Sequence, residues 1–160
     1  MSNTRCIPEP ERQVRKMIRI EEITAEDTFG IRKSILREGM KLSHEMKGDH
    51  DADTLHLGLY KSEKLISVAS FMQAQNPELK GRQYQLRGMA TTNDCQGKGY
   101  GKMLLNSAEQ VLKAKKVDVI WCNARLVAID FYKKMGYGTK GNMFEVAEVG
   151  PHYVMYKEFE

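Results

Sequence analysis

Six consecutive residues, Gln96, Gly97, Lys98, Gly99, Tyr100 and Gly101, have the composition of an anion-binding turn. They lie between an apolar run that ends near Ala90 and a segment of helical spacing that begins near Lys102. A strand that enters such a turn and leaves it as a helix aims main-chain N–H groups and the positive end of a helix dipole at one point. That suits a phosphate or pyrophosphate and needs no side-chain cage. Glycine at 99 and 101 lets the main chain approach phosphate oxygens that a Cβ would hold away. The spacing is neither the dinucleotide fingerprint G-x-G-x-x-G nor the P-loop G-x-x-x-x-G-K-[ST]. What stands here is Q-x-x-G-x-G, and it predicts a phosphorylated cofactor.

A second constellation follows. After the helical segment comes the apolar run Val117 to Cys122, then Asn123, Ala124 and Arg125, then Ala128, Phe131, Tyr132, Gly136 and Tyr137 in the pattern A-x-x-F-Y-x-x-x-G-[FY]. Together with the run from Leu86 to Thr91 before the glycine turn and Lys102 to Leu105 after it, these residues resemble the two signatures of the GNAT superfamily of acetyl-CoA-dependent N-acetyltransferases. The resemblance covers the last half of the chain by motif and the first half by element order. It implies an α/β (α+β) single domain, with a central, mostly antiparallel mixed sheet of about seven strands flanked by helices. The cofactor cleft would lie where the fourth and fifth strands splay apart. Acetyl-CoA would then rest its pyrophosphate on Gln96, Gly97, Lys98, Gly99, Tyr100, Gly101 and Lys102, and its pantetheine arm along Met89, Ala90 and Thr91. Asn123 would touch the coenzyme by position, cap the helix that follows, or do both.

Acetyl transfer from a thioester to an amine needs the two held in line, a polarised carbonyl, and a proton donor for the departing thiolate. Tyr132 is the candidate acid. A phenol with a pKa of about 10 remains protonated beside a thiol of about 8.5 and can hydrogen-bond the sulfur as charge develops. The base is less legible. His152, after the rigid Gly150 and Pro151, is the first candidate. His56 is the second, and His44 and Glu45 lie in the segment that caps the acceptor pocket in the resembled family. Arg87 either neutralises an acceptor carboxylate or snorkels to solvent. Cys122 reads as a buried inert thiol, Cys95 as a small apolar packing residue, and Arg125 as an ordinary surface position.

The elements that must position these residues can be read from periodicity. Met17 to Ile20 is a short strand candidate. Thr24 with Asp27 forms a capping pattern ahead of a helix from about Ala25 to Arg37. The polar stretch from Glu38 to Asp53 reads as a short helix plus loop. Leu55, Leu57 and Leu59 alternate with His56, Gly58 and Tyr60, which is strand spacing, and Leu65 to Met72 completes a hairpin with them. Gln83 to Ala90 is the next strand, and a helix runs from Lys102 to about Lys115. The last pair of strands spans Tyr137 to Phe144 and His152 to Lys157. Helices interleaved with a mostly antiparallel sheet indicate the α/β or α+β class without recourse to the resemblance.

Composition bounds the rest. At 160 residues, 41% hydrophobic and 29% charged, the chain is one globular domain, read as 16–160 behind a loose leader over 1–15. The net charge of +4 is carried by Lys98, Lys102, Lys113, Lys115 and Lys116 against Glu109, on and just after the expected phosphate turn, and Lys113, Lys115 and Lys116 read equally as a solvated helix face. The remainder is balanced, which argues against a nucleic-acid partner. Three cysteines without C-x-x-C spacing suit neither a disulfide scaffold nor a metal site, and nothing resembles a membrane span or a signal peptide. A cytoplasmic enzyme is expected, a homodimer by symmetry preference. It would acetylate a primary amine, on a small molecule or a protein, by direct attack in a ternary complex. The alternative is an acyl-CoA-binding sensor of the same fold without transferase activity.

Overall fold

The computed structural model describes residues 17–160, so the 1–15 leader lies outside the described residues. Strand β1 (Ile18–Glu22) leads into α1 (Ala25–Ile31). Thr24 caps α1 in a full capping box, its side chain accepting from the Asp27 N–H while Asp27 accepts from the Thr24 N–H. The predicted single helix over 25–37 instead widens into a π-helical turn at Arg32–Leu36. No second helix forms over 38–53, which is a series of turns.

The hairpin is as the alternation requires, with β2 at Leu55–Lys61 and β3 at Lys64–Gln73. Leu55, Leu57 and Leu59 enter the main core, while His56 and Gly58 are buried under the opposite layer. Next come β4 (Gln83–Thr91), α2 (Tyr100–Ala114), β5 (Val119–Arg125), α3 (Ile129–Lys134), β6 (Gly138–Val146) and β7 (Gly150–Glu158). The seven strands form one sheet in the order β1-β2-β3-β4-β5-β7-β6. Every neighbouring pair is antiparallel except β4 and β5.

One face of the sheet is covered by α2 and α3. Leu104, Leu105, Ala108 and Leu112 recur on one stripe of α2 and are fully buried against Leu57, Phe71 and Ile120. The other face carries α1 and the π turn, through Ile31, Ile35 and Leu36 against Val68 and Ala90. A buried fork pins this second layer. Arg32, 0% exposed, donates from Nη1 and Nη2 to the two carboxylate oxygens of Asp49 at 2.8 and 3.0 Å, and to Ser70 Oγ at 2.8 Å. Burial pushes the Asp49 carboxyl up, but the hydrogen bonds from Arg32 and the Met46 N–H outweigh it and hold the group below its ordinary value.

Candidate active site

The site begins with an interruption of the sheet. The parallel strands β4 and β5 pair only at Gln83, Tyr84 and Gln85 with Val119, Ile120 and Trp121. Beyond that they diverge, so the β4 edge from Leu86 to Thr91 has no strand partner on the β5 side. A bulge sharpens the divergence. Gly88 and Met89 together oppose the single residue Ala69, with Gly88 at φ 64°. Only glycine suits this position, because a Cβ there would lie 2.8 Å from Arg32 Nε.

At the end of β4 the chain passes a short turn at Asn93–Cys95 and enters α2 through the glycine segment. Gly97 and Gly99 take left-handed φ values of 74° and 84°. The space above both is open, so it is the backbone that demands glycine there. Gly99 is the N-cap of α2 and offers no side chain to its first turn, which also contains no acidic residue. The leading N–H groups of a 15-residue helix are therefore available to an anion. Gln96 spends its side chain on the turn itself, donating to Thr91 O at 3.0 Å. At Gly101 a Cβ would meet Met89 Cε at 3.4 Å and Phe131 Cζ at 3.6 Å, so that glycine also serves the packing of α2.

Two cavities flank the splay. The larger, about 690 Å³, is lined by Met89, Ala90, Thr91, Gln96, Gly97, Gly99, Tyr100, Gly101, Lys102 and Tyr132, all expected at the cofactor. Lys98 is exposed beside it but not part of its wall. The smaller, about 370 Å³, lies between Gln85–Met89 of β4 and Cys122–Arg125 of β5, closed by the π turn and by His152 of β7. Met89, Ala128 and Tyr132 belong to both walls.

Tyr132, 7% exposed, stands where the cavities meet. Its hydroxyl donates to Met89 Sδ at 3.9 Å and lies against the Cys122 thiol. Burial, then the neighbouring Cys122, raises its pKa well above that of an ordinary phenol. Burial likewise pushes the Cys122 thiol up to about 12, against the hydrogen bond from Tyr132. A thiol so protonated is a packing residue rather than a nucleophile. Cys95 is buried in the main core, as its sequence context predicts.

The histidines separate cleanly. His152 lines the smaller cavity, and its Nδ1 lies 2.8 Å from Gly150 O. A carbonyl only accepts, so Nδ1 carries the hydrogen and Nε2 of the neutral ring is left as an acceptor. His56 is instead locked at both nitrogens, Nδ1 to Ser70 Oγ at 2.6 Å and Nε2 to Asp49 O at 2.8 Å, in a buried structural network. His44 packs on Phe29 with ring centroids 4.9 Å apart, and neither it nor Glu45 lines either of these two cavities.

Tertiary structure decides three further positions. Asn123 caps no helix: β5 continues to Arg125 because it pairs with β7, Asn123 opposite Val154. It lines the smaller cavity, not the one beside the glycine turn. Lys113, Lys115 and Lys116 lie at the far end of α2, about 20 Å from the glycine turn at 1.5 Å per residue. They read as a solvated helix face, with Lys113 in the last turn complementing the helix C-terminus. Arg125 is no ordinary surface residue, for it lines the smaller cavity with Arg37 and Arg87 and donates from Nη2 to Leu36 O at 3.1 Å. Nothing local marks it, because its neighbours in space come from the π turn and β4.

Comparison with known proteins agrees with this geometry. The profile described as "Acetyltransferase (GNAT) family" matches residues 17–137. A Bacillus subtilis (strain 168) protein named uncharacterized N-acetyltransferase YitI is 37% identical over 143 residues, covering 88% of this chain and 96% of that protein. Among solved structures, Escherichia coli ElaA superposes with a TM-score of 0.74 at 14% identity, covering 89% of this chain and 100% of that one. The PaiA N-acetyltransferase of Thermoplasma acidophilum, in complex with coenzyme A, gives 0.65 at 18% identity, covering 89% and 99%. Profile, relative and fold agree with the splayed sheet and the uncapped glycine turn, and the chain belongs to the GNAT family of acetyltransferases.

Proposed function

We propose that this protein transfers an acetyl group from acetyl-CoA to a primary amine by direct attack within a ternary complex. The observation that carries the reading is the pair of cavities joined at Tyr132. The larger offers the open N–H groups of α2 and the unpaired edge of β4, which fit a pyrophosphate and an amide-bearing arm. The smaller offers an acceptor room with a histidine nitrogen in its wall.

In this reading the amine nitrogen bonds to the thioester carbonyl carbon, and His152 Nε2 takes the proton it sheds. As the carbon–sulfur bond breaks, Tyr132 donates a hydrogen bond to the departing sulfur. The thiolate then takes up one proton, His152 returns its own to solvent, and free coenzyme A and an amide remain. A tyrosine whose pKa is raised by burial keeps its proton throughout the working pH range, as this role requires.

The test is release of free thiol from acetyl-CoA in the presence of a panel of amines. Release dependent on the amine is expected, and coenzyme binding without it would favour the sensor. Tyr132→Phe should lower kcat by about 10- to 100-fold. The acetyl-CoA dissociation constant should move by less than about threefold, since the ring and its packing are kept. Equal turnover in variant and parent would remove Tyr132 from its role.

A further inference from the structure

The acceptor cavity has a charge that the transferase reading leaves unused. Arg37 at the end of the π turn, Arg87 on β4 and Arg125 at the end of β5 all line it, and among the described residues no carboxylate does. Arg37 donates from Nε to Ser43 O at 3.2 Å, and Arg125 from Nη2 to Leu36 O, so both are oriented by carbonyls that carry no net charge. Arg87 makes no hydrogen bond or ion pair to a described residue, although it is half-buried. Asp49 is the acid whose charge acts on Arg87, and both of its carboxylate oxygens are held by Arg32.

Such a gathering is costly. Burial lowers the pKa of Arg37, Arg87 and Arg125, and Arg37 is further opposed by Arg125, Arg87 and Arg32. Guanidiniums remain charged at neutral pH all the same, and the planar fork of each matches a carboxylate or a phosphate. The glycine turn lies on the wall of the other cavity, which contains no arginine, so these groups are not part of the coenzyme's phosphate site.

We propose that the acceptor is a small primary amine that also carries an anionic group, a carboxylate or a phosphate, seated on Arg87 with Arg125 and Arg37. Its amine then faces His152, and its apolar body rests on Leu36, Leu42 and Met46. A volume of about 370 Å³ suits a molecule of amino-acid size. Polycationic acceptors are disfavoured, because each added positive charge meets three of the same sign. The inference rests on the transferase reading, and its test separates the two.

Thiol release at saturating acetyl-CoA is measured for matched amines: leucine against leucinamide, phosphoethanolamine against ethanolamine, and spermidine as the polycation. The anionic member of at least one pair should show a kcat/KM about tenfold or more above its neutral partner. Which pair does so tells carboxylate from phosphate. The amide's amine is the less basic, so more of it is unprotonated, which works against the expected order. Arg87→Gln should raise KM for the anionic amine about tenfold. It should leave KM for the neutral partner and for acetyl-CoA unchanged, and Arg87→Lys should restore part of the preference. Equal or better use of the neutral amines or spermidine overturns the inference while leaving the transferase intact, and so does an Arg87→Gln variant that still discriminates. If no amine releases thiol, the transferase reading falls, and calorimetry of the same pairs onto the coenzyme A-loaded protein decides the pocket. Tighter binding of an anionic member, lost in Arg87→Gln, upholds the inference, and indifference to charge overturns it.

Discussion

Tyr132 and Cys122 show how burial sets the chemistry of single groups. Tyr132 sits at the join of the two cavities and Cys122 in the wall of the smaller one, and both have pKa values raised chiefly by loss of water. The consequence for stability has a definite sign. Above about pH 9 the unfolded chain releases the Cys122 proton, while the folded protein keeps it to about 12. The folded state then binds more protons than the unfolded one, so stability present below pH 9 is lost as pH rises, by up to about 1.4 kcal/mol per pH unit. Tyr132 adds a loss of the same sign above about pH 10. Urea unfolding at pH 8 and pH 10 should therefore show the parent losing about 1 kcal/mol more than Cys122→Ala across that interval. Parallel behaviour of the two would contradict the burial account.

At the scale of elements, the site is made by two departures from regularity, the bulge in β4 and the glycine entry to α2. Both use residues in the left-handed region, Gly88 for closeness to Arg32 and Gly99 for the turn into the helix. Gly99→Val puts a β-branched side chain at φ 84°, where it is strained, so the turn must reorganise and carry the N–H groups of α2 out of line. The turn is exposed, and the hydrophobic stripe of α2 is untouched. Circular dichroism should thus report a retained fold, while calorimetry reports acetyl-CoA affinity reduced by at least roughly tenfold. Undiminished affinity would argue that the coenzyme's phosphates lie elsewhere.

Across the whole molecule, the two faces of the sheet divide the work. The face under α2 and α3 holds the main core and most of the wall of the larger cavity, while the face under α1 and the π turn contributes Leu36 and Arg37 to the wall of the smaller one. That wall is tied to the sheet by Arg32, which joins the π turn to Asp49, to Ser70 on β3 and to His44 O. Removing the carboxylate leaves a buried cation without its counter-charge, so Asp49→Ala should destabilise the protein by about 3–5 kcal/mol. The urea midpoint would fall accordingly with the slope unchanged. A loss below about 1 kcal/mol would mean that the fork is not what fastens the layer.

Local patterns made much of this readable from the chain alone. The Leu55, Leu57 and Leu59 alternation, the Thr24 and Asp27 capping box and the glycine turn each depend on residues a few positions apart, and each has the expected form in the structure. The reading failed where distant segments decide. Pairing with β7 extends β5 to Arg125 and moves Asn123 into a strand. The length of α2 carries Lys113, Lys115 and Lys116 away from the glycine turn and so decides for the solvated helix face that the chain alone left open. His56 is committed to Asp49 and Ser70, which no local pattern announces. Short-range sterics and hydrophobic periodicity thus determine the elements and the glycine turn. Only tertiary packing brings Arg37, Arg87 and Arg125 around one cavity, because a charge cluster built from three separate elements leaves no periodic trace along the chain.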